Sequence, residues 1–254
     1  MEVKSAMKII LSGDSIGIIG GADGPTAVFV ARSAFPWLLP LMAFLLLAVA
    51  YLFMRHGARK KSRSVTELPD GYRKIYEIDL QTNTRLMLGL AIARLMIMLA
   101  MLVPACLTVP ISTLFSTERG ILAVILRVVV LIGGMCLYIV LHELTHAAMM
   151  RTYGARRVSF GFTGAYAYAG SKLDYFDRYA YARIALSPII ALGLVLAVLN
   201  LILPLAWFWV IYIIQITNVS GAVGDLFLSV RFARMPRDIL IKDTGVSMTV
   251  YSRQ

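Results

Sequence analysis

Two histidines and a glutamate near the middle of the chain have the types and spacing of a zinc-binding helix. His142, Glu143 and His146 stand in the stretch LHELTHAA, which fits the pattern HExxH. On a helix, histidines at positions i and i+4 share one face, so both imidazoles can bind one zinc ion. The neighbouring glutamate can activate a water molecule and carry its proton to a leaving amine. The motif therefore predicts Zn²⁺ as cofactor and Glu143 as the catalytic residue of a peptide hydrolase.

A catalytic zinc site needs a third protein ligand and one open coordination position. The chain has one further histidine, His56, which follows Arg55 in a basic stretch and is expected to be a solvated loop residue. Of the fourteen acidic residues, only Glu143 and Asp225 lie within apolar segments. Asp225 is therefore the predicted third ligand.

The depth of Asp225 in its segment agrees with this assignment. His146 lies five residues before Arg151, and Asp225 lies six residues before Arg231. At a rise of about 1.5 Å per residue, both groups should lie roughly 8–9 Å inside the same boundary. The alternative is an aspartate at a helix end, solvated from the cytoplasm. Asn218, on the same face and deeper, either binds the substrate carbonyl or a ligand, or forms an interhelical hydrogen bond.

The elements that carry these residues are predicted to be membrane helices. Hydrophobic residues make up 59% of the 254 residues and charged residues only 15%, which excludes an ordinary cytosolic or disordered protein. About 20 apolar residues cross a bilayer core. Five apolar segments can be recognised, at residues 37–54, 86–109, 121–150, 186–203 and 205–230.

Lysines and arginines predict the orientation of these segments, because they accumulate in cytoplasmic loops. The stretches 55–85, 151–183 and 231–254 carry 19 of them, and the stretches that would face outside carry 4. Five crossings put the N-terminus outside and the C-terminus in the cytoplasm. Arg94 and Arg127 remain within apolar segments. Both are expected to snorkel or to bond their own helix.

The loop between the third and fourth segments has an alternating pattern. Phe160 and Phe162 alternate with small or polar residues, and Tyr166 follows them. Period 2 with glycines predicts a short cytoplasmic hairpin. Its edge could bind an unwound substrate by strand addition, which makes Phe160, Phe162 and Tyr166 candidate substrate-binding residues. The alternative is an aromatic anchor at the membrane surface. Residues 174–183 are expected to form an interfacial helix.

The arrangement resembles the site-2 protease class of intramembrane metalloproteases, and more closely a bacterial family of membrane zincin peptidases. The similarity covers roughly residues 80–250. Its motifs are HELTHAA, Ala185-Leu186-Ser187-Pro188, the segment from Asn218 to Asp225, and Met235-Pro236-Arg237-Asp238 followed by Asp243. The resemblance implies that His142, His146 and Asp225 are zinc ligands and that Glu143 is the catalytic base. Leu226 follows Asp225 where site-2 proteases usually have glycine.

The N-terminal region has a different resemblance. Residues 15–26, SIGIIGGADGPT, are similar to the membrane beta subunit of sodium-translocating decarboxylases, in which the aspartate of this segment is implicated in sodium handling. The same letters also predict a plain turn before the first helix, since Asp23-Gly24-Pro25 is strong turn chemistry. The turn is the interpretation that we adopt.

Together these observations predict an all-α polytopic protein of the bacterial cell membrane, with about five transmembrane helices and a short cytoplasmic hairpin-like loop. Its parts are an extracytoplasmic segment (1–34), the first helix and basic loop (35–85), a metallopeptidase-like core (86–230) and a cytoplasmic tail (231–254). The expected activity is that of a zinc metalloendopeptidase. The expected partners are a membrane protein or peptide substrate and the lipid bilayer, and not nucleic acid. The alternative is a non-catalytic membrane protein that binds membrane segments or has a structural metal site.

Overall fold

The structure, a computed structural model, describes residues 14–21, 24–32, 37–56, 64–79, 82–164 and 166–253. Six α-helices form most of this part of the chain. Its short 3-10 helices include Ile111–Phe115 and Leu205–Trp207. The helices are α1 (Leu38–His56), α2 (Thr84–Thr108), α3 (Ile121–Thr152), α4 (Arg178–Ile202), α5 (Phe208–Gly221) and α6 (Val223–Ala233).

Four helical stretches of the described chain are long and apolar enough to cross a membrane. They are Thr84–Thr108, Ile121–Thr152, Arg178–Ile202 and Leu205–Ala233. These lengths and compositions indicate a membrane protein. The apolar stretch of α1, Leu38–Leu52, is shorter, so the fifth predicted crossing stays a prediction. Pro204 lies at a tight turn, and α4 and α5 pack side by side on either side of it.

Two predicted helix boundaries are wrong. The expected interfacial helix at 174–183 is a short strand followed by the first turns of α4, which the Asp177 side chain caps by accepting a hydrogen bond from the Ala180 N–H. The last apolar segment is interrupted at Ala222, where the backbone leaves the helical conformation between α5 and α6. Asp225 consequently lies in the first turn of a new helix.

The all-α prediction is also wrong, because a four-stranded antiparallel sheet joins the basic loop to the C-terminal tail. Its strand order is β3-β8-β7-β6. In β8 every second side chain is buried, at Met248, Val250 and Ser252. The strands are β3 (Tyr72–Asp79), β6 (Tyr175–Asp177), β7 (Leu240–Asp243) and β8 (Ser247–Arg253).

The predicted hairpin between α3 and α4 is confirmed. It consists of β4 (Ser159–Phe162) and β5 (Ala167–Gly170), paired antiparallel. The ring of Tyr168 lies between two glycines: a Cβ would come within 2.4 Å of the ring at Gly161 and within 2.2 Å at Gly245. Gly245 also has φ +87°, which favours glycine. The turn between β7 and β8 therefore fits closely against the hairpin.

A further antiparallel pair, β1 (Asp14–Gly21) and β2 (Gly24–Arg32), lies near the N-terminus, with Gly21 opposite Gly24. The predicted turn residue Asp23 lies outside the described residues.

Two apolar clusters hold the helices that carry the candidate site. One joins the sheet to the start of α4 and the end of α6, through the fully buried side chains of Phe176, Ile184, Phe232, Ile241 and Val250. The other packs α2, α3 and α5 around Trp209. Burying apolar side chains of this size contributes about 1.5–3 kcal/mol each.

Arg127 confirms one expectation about arginines inside apolar segments. It is buried and donates hydrogen bonds to the carbonyls of Ala123, Thr113 and Ser116. Arg127 therefore bonds its own helix and the preceding 3-10 turn.

Candidate metal centre

The two histidines of the HExxH motif lie one turn apart on α3 with their rings facing each other. The Nε2 atoms of His142 and His146 are 3.2 Å apart. The rings meet edge to face, with centroids 4.8 Å apart. His146 is buried and His142 is half-buried. Both Nε2 atoms thus point into the same small space.

Asp225 brings a carboxylate oxygen to this space from α6. Its Oδ2 is 3.5 Å from the Nε2 of His142 and 3.6 Å from the Nε2 of His146. The candidate ligand atoms of the three residues all lie within 4.8 Å of one another, so these residues form a candidate metal-binding group in the described part of the chain. The convergence predicted from their depth is therefore present. Their role as ligands stays a prediction.

The other nitrogen of each histidine ring is held by a hydrogen bond. The Nδ1 of His146 lies 2.9 Å from the carbonyl oxygen of Ile184 on α4, to which it can only donate. The Nδ1 of His142 lies 3.1 Å from the hydroxyl of Tyr138, one turn earlier on α3. A proton on Nδ1 leaves the Nε2 lone pair free for a cation. Tyr138 and Ile184 therefore orient the two rings.

The helix break at Ala222 helps to direct the Asp225 carboxylate. Because α6 starts at Val223, Asp225 lies in the first turn of a helix, where the helix dipole favours negative charge. The α6 helix is fixed by packing against α4, the helix that also holds His146 through Ile184. One helix thus positions ligand candidates from two others.

The donor set fits a zinc ion. Three electron-rich atoms, from two imidazoles and one carboxylate, approach one another. In the described part of the chain, no lysine or arginine forms an ion pair with this carboxylate. A divalent cation at their common point would satisfy all three. Two histidine nitrogens and one acidic oxygen form a donor set found in catalytic zinc sites, which keep the fourth position open.

Glu143 lies beside these three residues without belonging to the group. Its side chain lines the same cavity as Ala169 on β5. Glu143 therefore lies near both the candidate metal-binding group and the hairpin. The carboxylate is thus available for proton transfer next to the candidate centre.

A cavity of about 520 Å³ opens onto all four residues. Its walls come from α2, α3, the hairpin, α4, the α5–α6 junction and the turn between β7 and β8. Most of its lining is apolar, with a few polar groups near the metal-binding group. A pocket of this size and character can bind a short peptide segment.

Asp243 also lines this cavity, and it is positioned there by strand β7 of the four-stranded sheet. It is buried at the end of β7 and accepts a hydrogen bond of 2.7 Å from the Gly245 N–H. Burial raises the pKa of the Asp243 carboxyl to about 6. Its position near His146 could not be predicted from the sequence, because it depends on strand pairing in the C-terminal tail.

The predicted substrate-binding residues lie in different places. Phe162 and Tyr166 line the cavity, whereas Phe160 is exposed and does not line it. Asn218 is fully buried and donates a hydrogen bond of 3.1 Å to the Ile189 carbonyl on α4. Asn218 does not line the cavity, so its geometry favours the interhelical hydrogen bond over a contact with the substrate. The side chain of His56 lies outside the described part of the chain.

A comparison with protein families finds one related region. Residues 135–240 match a family model described as "Putative zincin peptidase". The match contains the HExxH motif, the hairpin and Asp225. No curated protein and no solved structure matches the chain. The similarity supports a metallopeptidase activity and, through the zincin class, a zinc ion.

Proposed function

We propose that this protein is a zinc-dependent peptidase that hydrolyses peptide bonds of membrane protein substrates within or beside the bilayer. The observation that carries the proposal is the convergence of His142, His146 and Asp225, with Glu143 in the same cavity. The similarity to zincin peptidases over residues 135–240 supports it. A relationship to the site-2 proteases is likewise only proposed.

His142, His146 and Asp225 would hold the zinc ion. When bound, the ion supplies a Lewis acid that polarises the scissile carbonyl and acidifies water. Glu143 accepts a proton from the attacking water and passes it to the nitrogen of the leaving amine. The Ile184 carbonyl, which can only accept, keeps His146 in the tautomer that ligation needs. The Tyr138 hydroxyl orients the His142 ring.

The depth of the site supports a substrate within the membrane. His142 lies ten residues before the end of α3 at Thr152. At about 1.5 Å per residue this is roughly 15 Å along the helix. A soluble loop would have to enter that far to be cut, whereas a membrane segment is already at this depth.

The free edge of β5 is the proposed binding site for the unwound substrate. In an antiparallel pair, hydrogen-bonded and non-hydrogen-bonded residue pairs alternate. The bond from the Thr163 N–H to the Tyr166 carbonyl makes Gly161–Tyr168 a bonded pair. The backbone groups of Ala167 and Ala169 therefore point away from β4, towards Glu143. A substrate strand added at this edge would pass the catalytic residue.

We expect Ala167→Pro to raise the KM for a membrane peptide at least several-fold, because proline removes the N–H that the edge offers. Ala167→Val is the matched control, since valine keeps the N–H and favours a strand. Steady-state cleavage by purified protein in detergent or vesicles measures both. An equal KM for the two variants would exclude strand addition at β5.

We further propose that the protein lies in the bacterial cell membrane with its N-terminus outside and its C-terminus in the cytoplasm. The support is the distribution of 19 basic residues against 4. Single cysteines at Lys60 and Arg156 should resist labelling by an impermeant maleimide in intact cells and react after permeabilisation. Efficient labelling of intact cells at both positions would reverse the orientation. The bilayer and a membrane peptide are the proposed partners, with no role for nucleic acid.

Metal analysis of the purified protein and cleavage of a panel of membrane-spanning peptides test the peptidase proposal together. Wild-type protein should contain about one zinc ion per chain and cut some of the panel, and Glu143→Gln should cut the same peptides at least about 100-fold more slowly. Zinc without any cleavage would favour the alternative of a structural metal site in a segment-binding protein. Structural zinc sites usually have four protein ligands, whereas three converge here.

A further inference from the structure

One wall of the cavity contains an arginine that the proposed reaction does not use. Four residues of α2 line the cavity: Met87, Leu90, Ala91 and Arg94. Their spacing of i, i+3, i+4 and i+7 defines one helix face. Arg94 therefore belongs to the cavity face of α2, among otherwise apolar neighbours. It is the single lysine or arginine of the described cavity lining.

Arg94 lies at a depth similar to that of the metal-binding group. It is ten residues from the start of α2 at Thr84, and His142 is ten residues from the end of α3 at Thr152. Each distance is nearly three helical turns, or roughly 15 Å. Arg94 is also close enough to interact electrostatically with Tyr138, the residue that holds His142. Arg94 therefore faces the candidate metal-binding group across the cavity.

Within the described residues, Arg94 forms no hydrogen bond or ion pair. Arg94 forms an ion pair with none of the three carboxylates that line the cavity in the described part of the chain, which are Asp225, Glu143 and Asp243. Asp225 faces the two histidines, and Asp243 accepts a hydrogen bond from the Gly245 N–H. The sequence alone favours snorkelling for Arg94, but nearly three turns separate it from the helix end. An unpaired cation at this depth is costly, so an anionic ligand would stabilise it.

We propose that Arg94 binds a carboxylate of the peptide substrate, so that the cavity selects acidic membrane segments. This inference rests on the proposed peptidase function. A guanidinium recognises a carboxylate through two parallel hydrogen bonds. The phosphate of a lipid headgroup lies at the membrane surface and would have to leave it to reach Arg94. The carboxylate belongs to a glutamate or aspartate side chain or to a free C-terminus within the membrane.

Binding of defined peptides to full-length Glu143→Gln protein in lipid nanodiscs tests the proposal, because this variant leaves the probe intact. The probes are leucine- and alanine-rich membrane peptides of roughly 20 residues, with a central glutamate, glutamine or lysine and an amidated C-terminus. A second pair of glutamine peptides ends at mid-membrane, one as the carboxylate and one as the amide. The first set reports on side-chain carboxylates and the second pair on a free C-terminus.

The glutamate peptide, the truncated carboxylate peptide, or both should bind about tenfold or more tightly than the matching neutral peptide. Arg94→Gln in the same background should remove this preference, and Arg94→Glu should shift it to the lysine peptide. Leu95→Gln is the matched control, because Leu95 is exposed on the outer side of α2 and does not line the cavity. It should keep the preference for carboxylates.

Equal binding of charged and neutral peptides to the Arg94 protein would overturn the proposal, as would a preference that persists in Arg94→Gln. The reversal expected for Arg94→Glu keeps the test decisive if Arg94→Gln folds poorly. Zinc content and cleavage of neutral peptides by wild-type protein are measured separately. If the wild-type protein cleaves neutral peptides but the Arg94 protein shows no charge preference, only carboxylate recognition is refuted. If the wild-type protein neither binds zinc nor cleaves peptides, the peptidase function is refuted.

Discussion

Replacing Glu143 by glutamine should lower peptide turnover by about 10²–10⁴-fold and leave the zinc content unchanged. Glutamine has nearly the same shape as glutamate but cannot accept the proton of the attacking water. The three residues proposed to hold the metal are untouched, and the two histidine rings keep their contacts with Tyr138 and Ile184. Turnover and metal binding should therefore separate in this variant.

Elemental analysis and single-turnover cleavage of a membrane peptide measure the two effects on the same preparation. Glu77→Gln is the matched control, because Glu77 is an exposed glutamate on β3 that pairs only with Lys74 among the described ion pairs. It should keep wild-type zinc and turnover. Glu143→Gln protein that cleaves at the wild-type rate would exclude Glu143 as the proton acceptor.

The histidines and the aspartate could be predicted from the sequence because their signals are local. A helical spacing of four residues places His142 and His146 on one face without knowledge of the fold. Asp225 could be found because an acid within an apolar segment is rare and its depth can be counted from the next arginine along the chain. The same reasoning predicted the hairpin, whose period of 2 is visible within a few residues.

The four-stranded sheet could not be found in this way because its pairings are distant in sequence. Tyr72 on β3 pairs with Arg253 on β8. The alternating strands β7 and β8 lie in a region rich in lysine and arginine, and this charge predicts a cytoplasmic tail. Only pairing with β6 and β3 buries every second side chain. Asp243 enters the cavity through this pairing.

The contacts that orient the histidines differ in how far the sequence could predict them. Tyr138 stands four residues before His142, so helical spacing alone could have identified it. The partner of His146 is the backbone carbonyl of Ile184, and a carbonyl has no residue type that marks it. Asn218 is polar and deep, which fits a substrate role and an interhelical hydrogen bond equally well. The bond that it forms depends on the approach of α4, which the sequence does not show.

Replacing Asp225 by asparagine should weaken zinc binding by more than roughly 100-fold, which is the upper end of the loss seen when only a supporting residue is removed. The asparagine keeps the size of the side chain and removes the negative charge that faces both Nε2 atoms. His146→Ala should lose zinc and cleavage together, because it removes one of the three proposed ligand atoms. Competition with a chelator of known affinity measures the change in both variants.

Asp70→Asn is the matched control for this loss, because Asp70 is an exposed aspartate outside the membrane helices. It should bind zinc as tightly as the wild type does. The alternative for Asp225 is an aspartate that is solvated at a helix end, which predicts the same zinc affinity in Asp225→Asn and in the control. Equal affinities would show that another group completes the site. A selective loss in Asp225→Asn, with its thermal stability retained, would assign the carboxylate on α6 as the third ligand.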